Sequence, residues 1–242
     1  MDTNRLIAKV GGPRALPGQV IPQGGPVNAA ELAQAHWNKA PLYFSEEQRY
    51  REYPWLCEAA EFRYHAGERV LELGCGSGCD LLQFAKHGAI ATGVDITERH
   101  IELARQRVAG LAAVQYGSAC ELPFGDDSFD YVYSHGVFHH IDTPELAVRE
   151  LLRVLRPGGR FNVHVYALWS ESAAIYFLKH GRDWKRHVEN SADPVHIQLY
   201  TGRSLRRLFA PVPLDISKHQ SYHLPALSRC TGFFLVAKGR KP

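Results

Sequence analysis

The stretch that decides the fold runs from Glu68 to Ile96 and reads ERVLELGCGSGCDLLQFAKHGAIATGVDI. An apolar run typical of a buried strand leads into the loop Gly74-Cys75-Gly76-Ser77-Gly78, which is followed by helical spacing and then by a second apolar run. Glycines allow positive φ angles and a close approach of the main chain to a ligand. The free amides at the helix start carry partial positive charge. This order of elements predicts a site for a ligand with carboxylate or nucleotide character.

Two acidic residues accompany this loop. Glu72 lies in the first apolar run, and Asp95 ends the second. A carboxylate at the end of the second strand can accept hydrogen bonds from both hydroxyls of a ribose. Dinucleotide sites favour the spacing GxGxxG, but Cys79 stands where the last glycine of that pattern belongs. The loop and the acid together favour a nucleoside cofactor over a merely tight turn.

Beyond this stretch the sequence alternates between strand-like and helical segments. Helical runs separate the strands, and Gly88, Gly110 and the run Pro157-Gly158-Gly159 are predicted to end helices. Two later segments, 214–221 and 231–239, are predicted to form a terminal hairpin. The alternation indicates a parallel sheet with helices on both faces. The five predicted strands before the hairpin are 68–74, 89–96, 112–119, 129–135 and 160–167.

Composition narrows the class of protein. The 28 Lys and Arg residues nearly match the 25 Asp and Glu residues, so the net charge is only +3 and we expect no nucleic-acid partner. The first residues lack a charged start followed by a long apolar core, and no later apolar run is long enough to span a bilayer. We therefore expect no membrane insertion and a cytoplasmic location. The scattered cysteines lack metal-site spacing, so we expect no metal and interpret Cys75 and Cys79 as packing residues.

Four motifs in sequence order resemble a known family. They are VLELGCGSGCD, GVDITERHIELARQR, ELPFGDDSFDYVYSHGVFHHI and ELLRVLRPGG, which lie within residues 68–167. Together they resemble the class I S-adenosylmethionine-dependent methyltransferases, especially the small-molecule group similar to the ubiquinone and menaquinone biosynthesis enzymes. The resemblance implies an α/β fold with a Rossmann-like, doubly wound, seven-stranded sheet. It also implies that this sheet is mostly parallel with an antiparallel C-terminal strand, and has helices on both faces.

The resemblance further implies a cofactor, S-adenosyl-L-methionine, with S-adenosyl-L-homocysteine as its product. Asp95 would hold the ribose, Ile96 would lie against adenine, and Glu72 would orient the methionine part. Where the family often has Gly-Asp-Ala near adenine, this chain has Gly117-Ser118-Ala119, and Ser118 still offers a hydrogen bond. The implied cofactor contacts are Glu72, Gly74, Cys75, Gly76, Gly78, Asp95, Ile96, Ser118, Ala119 and Ser134.

The chain is predicted to divide into a tail and one domain. Residues 1–28, which include the run GGPRALPGQVIPQGGP, are predicted to be a flexible Gly/Pro-rich tail. Residues 29–242 are predicted to form a single methyltransferase domain. Its parts are an N-terminal helical lid of two short helices (29–62), a cofactor-binding core (63–167), and a substrate-side insertion with the C-terminal strands (168–242).

Histidines are the candidate catalytic groups. Methyl transfer from a sulfonium is an in-line displacement, which needs alignment and, for a hydroxyl or amine acceptor, a base. His135, His139 and His140 follow the fourth predicted strand, at the edge where ligands bind in open α/β sheets. We predict that one of them is catalytic; the alternative is that they only shape the site. His164, within the apolar run RFNVHVYA, is interpreted as a core histidine.

Aromatic residues supply candidate substrate contacts. Tyr166 lies near the carboxyl end of the last predicted strand of the core, and Tyr43 and Tyr50 belong to the predicted lid. Each of these three side chains could contact the substrate. The alternative for the aromatic residues of the lid is burial against the sheet.

These observations leave several functions open. The first is an enzyme, a monomer or homodimer, that moves a methyl group to oxygen, nitrogen or carbon of a small organic or natural-product acceptor. The alternatives are a non-catalytic regulatory module that binds S-adenosylmethionine or its product, a methyltransferase of a macromolecule, and an enzyme that uses the sulfonium for other chemistry. Ser-His-Gly-Val follows the fourth strand in place of Asn-Pro-Pro-Tyr, which by resemblance disfavours methylation of adenine or amide nitrogen.

Overall fold

The strands follow the alternation seen in the sequence. The computed structural model describes residues 29–39, 45–187 and 196–242. The strands in this part of the chain are β1 (Arg69–Leu73), β2 (Ile90–Asp95), β3 (Ala113–Tyr116), β4 (Phe129–His135), β5 (Leu155–Tyr166), β6 (Leu214–His219) and β7 (Phe234–Arg240). They form one sheet in the order β3-β2-β1-β4-β5-β7-β6.

The direction of the strands confirms the predicted fold class. β1 to β5 run parallel to one another, and β7 pairs antiparallel with both β5 and β6. The strand order reverses between β1 and β4, which is the point where ligands bind in open α/β sheets. Leu73 pairs with Val94 on one side and with Ser134 on the other, so the ends of β1, β2 and β4 lie together. We call this side of the sheet the carboxyl edge.

Nine α-helices are described. They are α1 (Ala29–Lys39), α2 (Glu46–Glu52), α3 (Leu56–Ala59), α4 (Cys79–Lys86), α5 (Glu98–Val108), α6 (Pro144–Val154), α7 (Glu171–His180), α8 (Gly202–Leu208) and α9 (Ser228–Thr231). Ser45 and Ser170 cap α2 and α7 by accepting from backbone amides, and Pro144 occupies the first turn of α6. Within the described residues, no helix has both the length and the apolar character needed to cross a bilayer.

The core lies on both faces of the sheet because alternate residues of each strand point to opposite faces. Leu71 and Leu73 of β1 belong to an apolar cluster that includes Leu151 of α6. Val70 belongs to a second cluster on the other face, which includes Leu81 of α4. Glu72 shares the face of Val70 by the same alternation, so a carboxylate enters the layer between the sheet and α4.

The helix before Pro157-Gly158-Gly159 ends ahead of them as predicted, but these three residues belong to a strand rather than to a loop. α6 ends at Val154, and these three residues lie inside β5. Pairing with β4 jumps from Phe129 opposite Leu155 to Tyr131 opposite Arg160, so the intervening residues bulge out of the ladder. A bulge accepts proline, which lacks an N–H, and Gly158 adopts a φ of +71° there.

Two terminal segments also differ in detail from the prediction. The described part of residues 29–62 holds three α-helices rather than two, because the chain breaks at Tyr53 and Pro54 and resumes as α3. β6 and β7 pair antiparallel as predicted, but their connection contains a 3₁₀ turn (Pro225–Leu227) and α9 rather than a tight turn.

Candidate functional site

The glycine loop joins β1 to α4 in a tight turn at the carboxyl edge. The Cys75 amide donates to the Val94 carbonyl at 2.9 Å, and the Gly78 amide donates to the Cys75 carbonyl at 2.8 Å. Gly74, Gly76 and Gly78 adopt φ angles of +66°, +51° and +80°. This backbone region favours glycine, so the turn explains why all three positions lack a side chain.

The three glycines differ in what surrounds them. A Cβ atom at Gly74 would lie 2.3 Å from a methyl group of Val137, and one at Gly78 would lie 3.1 Å from Ala104. A Cβ atom at Gly76 would meet no other heavy atom within 4 Å. Packing within the protein therefore excludes a side chain at Gly74 and leaves little room for one at Gly78, whereas Gly76 borders open space that a ligand could occupy.

Asp95 connects this loop to β2. One carboxylate oxygen, Oδ2, accepts from the Gly76 amide at 2.9 Å. The other, Oδ1, accepts from the Thr97 amide at 2.9 Å and lies 3.3 Å from Nδ1 of His100. A carboxylate has about four lone-pair positions, so Asp95 can position the loop and still accept from a ligand.

Glu72 is a buried carboxylate next to the loop. Its side chain is 3% exposed, and Oε2 has no hydrogen-bond partner among the described residues. Burial and the nearby negative charge of Asp80 raise the pKa of Glu72 well above its usual value, although Arg49 opposes this effect. A buried polar atom without a partner is costly and points to a missing donor, such as the amino group of a bound ligand.

Helix α2 is fastened over this region by a buried ion pair. Arg49 donates to both oxygens of Asp80, at 2.7 and 2.5 Å, and the side chain of Asp80 has no exposed area. The hydroxyls of Tyr50 and Tyr133 donate to the same carboxylate at 2.9 and 3.1 Å. Burial alone would raise the pKa of Asp80, but Arg49 and these donors hold it below its usual value.

Helix α1 lies over the end of β2. The side-chain amide of Gln34 donates to the Ile96 carbonyl at 2.9 Å and to the Tyr116 hydroxyl at 3.2 Å. The ring of Trp37 lies 5.5 Å from that of His140. α1 therefore joins the β2 end of the carboxyl edge to the β4 end.

The loop after β3 lies beside this end of the sheet. The Gly117 amide donates to the Asp95 carbonyl at 3.0 Å, which places Ser118 and Ala119 next to Asp95 in the fold. The Ser118 hydroxyl accepts from the Cys120 amide at 3.2 Å.

Histidines and aromatic rings form the other end of the carboxyl edge. His135 lies at the end of β4, and its Nδ1 is 3.0 Å from Nδ1 of His164 in β5. Phe234 stacks on His135 with a centroid distance of 5.0 Å. The neighbouring Ser134 hydroxyl donates to the Leu73 carbonyl at 3.1 Å and so joins β4 to β1.

His139 and His140 differ in their surroundings. His139 is fully buried and stacks on Tyr166 at a centroid distance of 3.7 Å. Tyr166 in turn stacks on Phe233 at 4.4 Å. His140 is half-buried, and its Nδ1 lies 2.9 Å from the His196 carbonyl. His139 is thus part of an aromatic stack, and His140 holds the segment that leads to α8.

Part of the chain that forms this site matches a family of known proteins. Residues 71–163 match the model of a family described as Methyltransferase domain. The matched range contains the glycine loop, Asp95 and all three candidate histidines. This segment of the chain is therefore similar to a methyltransferase domain.

Relatives of this chain include enzymes whose names state their substrates. A demethylmenaquinone methyltransferase of Clavibacter sepedonicus is 41% identical over 97 residues, which are 39% of this chain and 40% of that protein. The 27-O-demethylrifamycin SV methyltransferase of Amycolatopsis mediterranei (strain S699) is 34% identical over 116 residues, which are 46% of this chain and 43% of that protein. The chain therefore spans about two fifths of the length of these curated relatives.

A solved structure shares the fold. A methyltransferase from Thermotoga maritima, described as a possible histamine N-methyltransferase, superposes with a TM-score of 0.58 at 23% identity. The superposition covers 80% of this chain and 97% of that chain. At this identity the comparison supports the fold and leaves the acceptor open.

The predicted site residues fall into groups in the structure. The cofactor candidates gather at the carboxyl ends of β1 and β2, and in the loop after β3. The histidine candidates and Tyr166 gather beyond β4. Tyr50 is held by the Asp80 carboxylate and by the Cys79 carbonyl, so its hydroxyl serves the attachment of α2. Tyr43 lies outside the described residues.

Some site residues were missed from the sequence. The ion pair between Arg49 and Asp80 joins segments far apart in the chain and has no local signal. Asn162 and His164 did have one, because they are polar residues two apart in an otherwise apolar strand. That spacing places both on one face. Their register opposite Tyr133 and His135 in β4 brings them to the candidate base.

Proposed function

We propose that this protein transfers a methyl group from S-adenosyl-L-methionine to a small-molecule acceptor. The observation that carries the proposal is the buried Glu72 Oε2, which has no partner among the described residues and lies next to a glycine loop with open space at Gly76. A cofactor with an amino group and a sugar supplies the donors that this carboxylate and Asp95 can accept.

The proposed cofactor would be held along β1 and β2. Glu72 would accept from the amino group of its methionine part, beside the open space at Gly76. Asp95 would accept from the ribose hydroxyls with the lone pairs that the loop amides leave available. Ile96, Ser118 and Ala119 would lie against the adenine. Cys75 is buried, so its backbone rather than its thiol would line the site.

The cofactor and the protein would contribute different parts of the methyl-transfer reaction. When bound, S-adenosylmethionine supplies a methyl group that is electrophilic because it is attached to a sulfonium. The chain would orient the acceptor, keep water out with α1 and α2, and move a proton where the acceptor carries one. The ion pair of Arg49 with Asp80 fixes α2 over the site, so exclusion of water would not need the helix to fold on binding.

A small-molecule acceptor is supported by the relatives. Two of them act on demethylmenaquinone and 27-O-demethylrifamycin SV, according to their names. Aromatic side chains cluster at the end of β5 and the start of β7, and the half-buried Tyr166 among them could contact such compounds. A macromolecular acceptor and a regulatory role are the competing outcomes.

The proposal is tested by following the transfer of an isotope-labelled methyl group by the full chain. The protein is incubated with S-adenosylmethionine that carries a deuterated methyl group and with a panel of phenols, alcohols, amines and quinols. Mass spectrometry then follows S-adenosylhomocysteine and the acceptors. We expect both products to appear together, and Gly76→Ala to lower both when S-adenosylmethionine is limiting. Cofactor that binds and stays intact with every acceptor would contradict the proposal and favour a regulatory module.

A further inference from the structure

A chain of hydrogen bonds runs from α3 through β5 to the end of β4. The side-chain nitrogen of Asn162 donates to the Ala59 carbonyl at 2.7 Å. Oδ1 of Asn162 lies 2.9 Å from Nε2 of His164. Nδ1 of His164 lies 3.0 Å from Nδ1 of His135. Asn162 and His164 have no exposed area, so water does not compete for these bonds.

The first link of this chain fixes the direction of the second. A backbone carbonyl only accepts, so the Asn162 amide nitrogen must face Ala59 and its oxygen must face His164. That oxygen also only accepts. Nε2 of His164 must therefore carry a hydrogen.

The positions of the hydrogens on the other ring nitrogens follow from the neutral state of His164. Burial lowers the pKa of His164 well below its usual value, and the neighbouring His135 lowers it further. A neutral imidazole has one N–H, which Nε2 already uses, so Nδ1 of His164 is an acceptor. His135 must then donate from Nδ1. Its own Nε2 is left with a lone pair and makes no hydrogen bond to the described part of the chain.

We propose that Asn162 and His164 are positioning residues that hold His135 in its Nδ1–H tautomer, so that Nε2 takes the proton from a phenolic hydroxyl of the acceptor. The proposal rests on the proposed function and names its substrate class. His135 is the catalytic residue in this account. Asn162 and His164 act only through it, in the way that a base is oriented by a third group.

His135 is half-buried among aromatic rings, of which those of Tyr53 and Trp55 are also half-buried. The ring centroid of Phe234 lies 5.0 Å from that of His135, and those of Tyr53 and Trp55 lie 5.9 and 6.0 Å away. Tyr166 lies 5.3 Å from Phe234 and extends this aromatic surface along β5. Aromatic side chains recognise flat rings through stacking and edge contacts.

The basicity of His135 selects an acidic hydroxyl. Burial lowers its pKa well below the usual value, and Arg49 and His139 add to this effect. A weak base removes a proton efficiently only from a group that is itself acidic. Phenols ionise near pH 10, like tyrosine, and are far more acidic than aliphatic alcohols.

Besides His135, the charged or titratable groups that act on the pKa of His164 are Asp80, His219 and Lys238, of which only Asp80 favours its protonation.

In the proposed reaction, loss of the phenol proton and transfer of the methyl group occur in one step. The O–H bond of the phenol breaks, and its proton goes to Nε2 of His135, which becomes an imidazolium. The electron pair left on the oxygen forms the new bond to the methyl carbon. The pair of the breaking carbon–sulfur bond stays on sulfur, whose positive charge is thereby neutralised. The imidazolium then releases its proton to water.

The tautomer can be measured without any acceptor. The full chain is labelled with ¹⁵N-histidine, and long-range ¹H–¹⁵N correlation spectra distinguish a nitrogen with a hydrogen from one with a lone pair. Comparison with His135→Gln identifies the His135 signals among the 13 histidines. We expect the hydrogen on Nδ1 and the lone pair on Nε2. The opposite pattern in the wild-type protein would overturn the proposal.

Two variants of His164 separate positioning from simple structure. His164→Phe keeps the ring but removes the acceptor, so we expect His135 to shift towards the Nε2–H tautomer. His164→Asn offers a side-chain oxygen near the position of Nδ1 and should restore the wild-type tautomer. His87→Gln, at the C-terminus of α4, is the control for loss of a histidine elsewhere. An unchanged His135 tautomer in a folded His164→Phe protein would contradict the proposal.

The acceptor class is tested with matched probes. Phenol, cyclohexanol and aniline are offered with deuterated-methyl S-adenosylmethionine, and we expect the label on the phenol oxygen. His164→Phe should lower kcat by about tenfold or more with little change in KM, whereas His164→Asn should recover it. Label on cyclohexanol or aniline, or on none of the three, would overturn the phenol assignment. Failure of the proposed function would show differently, either as absence of cofactor binding in calorimetry or as bound cofactor that stays intact with the whole panel of phenols, alcohols, amines and quinols.

Discussion

The two ends of the carboxyl edge are built in different ways. At the ends of β1 and β2, the site consists of backbone turns, one open glycine and two carboxylates, of which Asp95 accepts from the Gly76 and Thr97 amides. At the ends of β4, β5 and β7, it consists of side chains: His135, His139, Tyr166 and Phe234, which contact one another across strands. We call these the cofactor end and the acceptor end.

This difference explains which end can vary. A backbone turn that must hold one cofactor tolerates few side chains, because a Cβ atom at Gly74 would clash with Val137 and one at Gly78 would be tight against Ala104. Aromatic side chains can change size and shape while the strands stay in place. A domain with this division can therefore keep one cofactor and accept different substrates, as the different names of its relatives indicate.

The largest effect is expected where α2 is attached to the cofactor end. Arg49→Met should lower the free energy of unfolding by about 3–5 kcal/mol, because it leaves the buried Asp80 carboxylate without its cation. Arg69→Met breaks an ion pair with Asp130 in which the Arg69 side chain is 44% exposed, and should cost less than about 1 kcal/mol. Chemical denaturation measures both. Equal losses would contradict the buried role of Arg49.

The next largest effect is expected on cofactor affinity, where Asp95 is compared with Asp130, a carboxylate away from the carboxyl edge. Asp95→Ala should weaken binding of S-adenosylmethionine by about 2 kcal/mol, or roughly thirtyfold in Kd, because charge-assisted hydrogen bonds are lost. Asp130→Ala removes a carboxylate near the start of β4, away from the carboxyl edge, and should leave Kd within about threefold. Calorimetric titration gives both values. Unchanged affinity in Asp95→Ala would remove Asp95 from the cofactor site.

Two glycines with similar surroundings test whether the loop borders the bound cofactor. Gly76 and Gly110 both have positive φ, and an added Cβ meets no atom within 4 Å at either. Each Gly→Ala change should lower the free energy of unfolding by about 1 kcal/mol because of backbone strain. Only Gly76→Ala should also weaken cofactor binding, by about tenfold or more. Similar affinities for the two variants would show that the space at Gly76 is not used.

The smallest effect concerns the charge of Glu72. A raised pKa in the folded protein means that stability without cofactor is full below the unfolded pKa, near 4.5, and falls as the pH rises through the folded pKa. Glu72→Gln removes this loss, so at pH 8 its free energy of unfolding should exceed that of the wild type by about 1 kcal/mol. The gain should shrink towards pH 4.5, and cofactor binding should weaken. Denaturation across this pH range would contradict the account if the Gln variant were less stable at pH 8.

The cofactor end was predictable because its signal is local. Gly74, Gly76, Gly78 and Asp95 lie within two consecutive strands and the turn between them, and strand order follows from alternation. The acceptor end combines α2, α3, β4, β5 and β7, which are distant in sequence, so no local pattern indicates that Trp55 lies against His135. His164 was interpreted as a core residue, and its burial agrees with that interpretation. Its contact with His135 depends on the register between β4 and β5, which sequence spacing alone does not determine.

The central claim is that the cofactor end holds S-adenosylmethionine. The most direct measurement is calorimetric titration of the full chain with S-adenosylmethionine and, separately, with NAD. We expect saturable binding of one S-adenosylmethionine per chain and no heat of binding with NAD, since the loop lacks the last glycine of the dinucleotide pattern. Binding of NAD, or no binding of S-adenosylmethionine, would contradict the account.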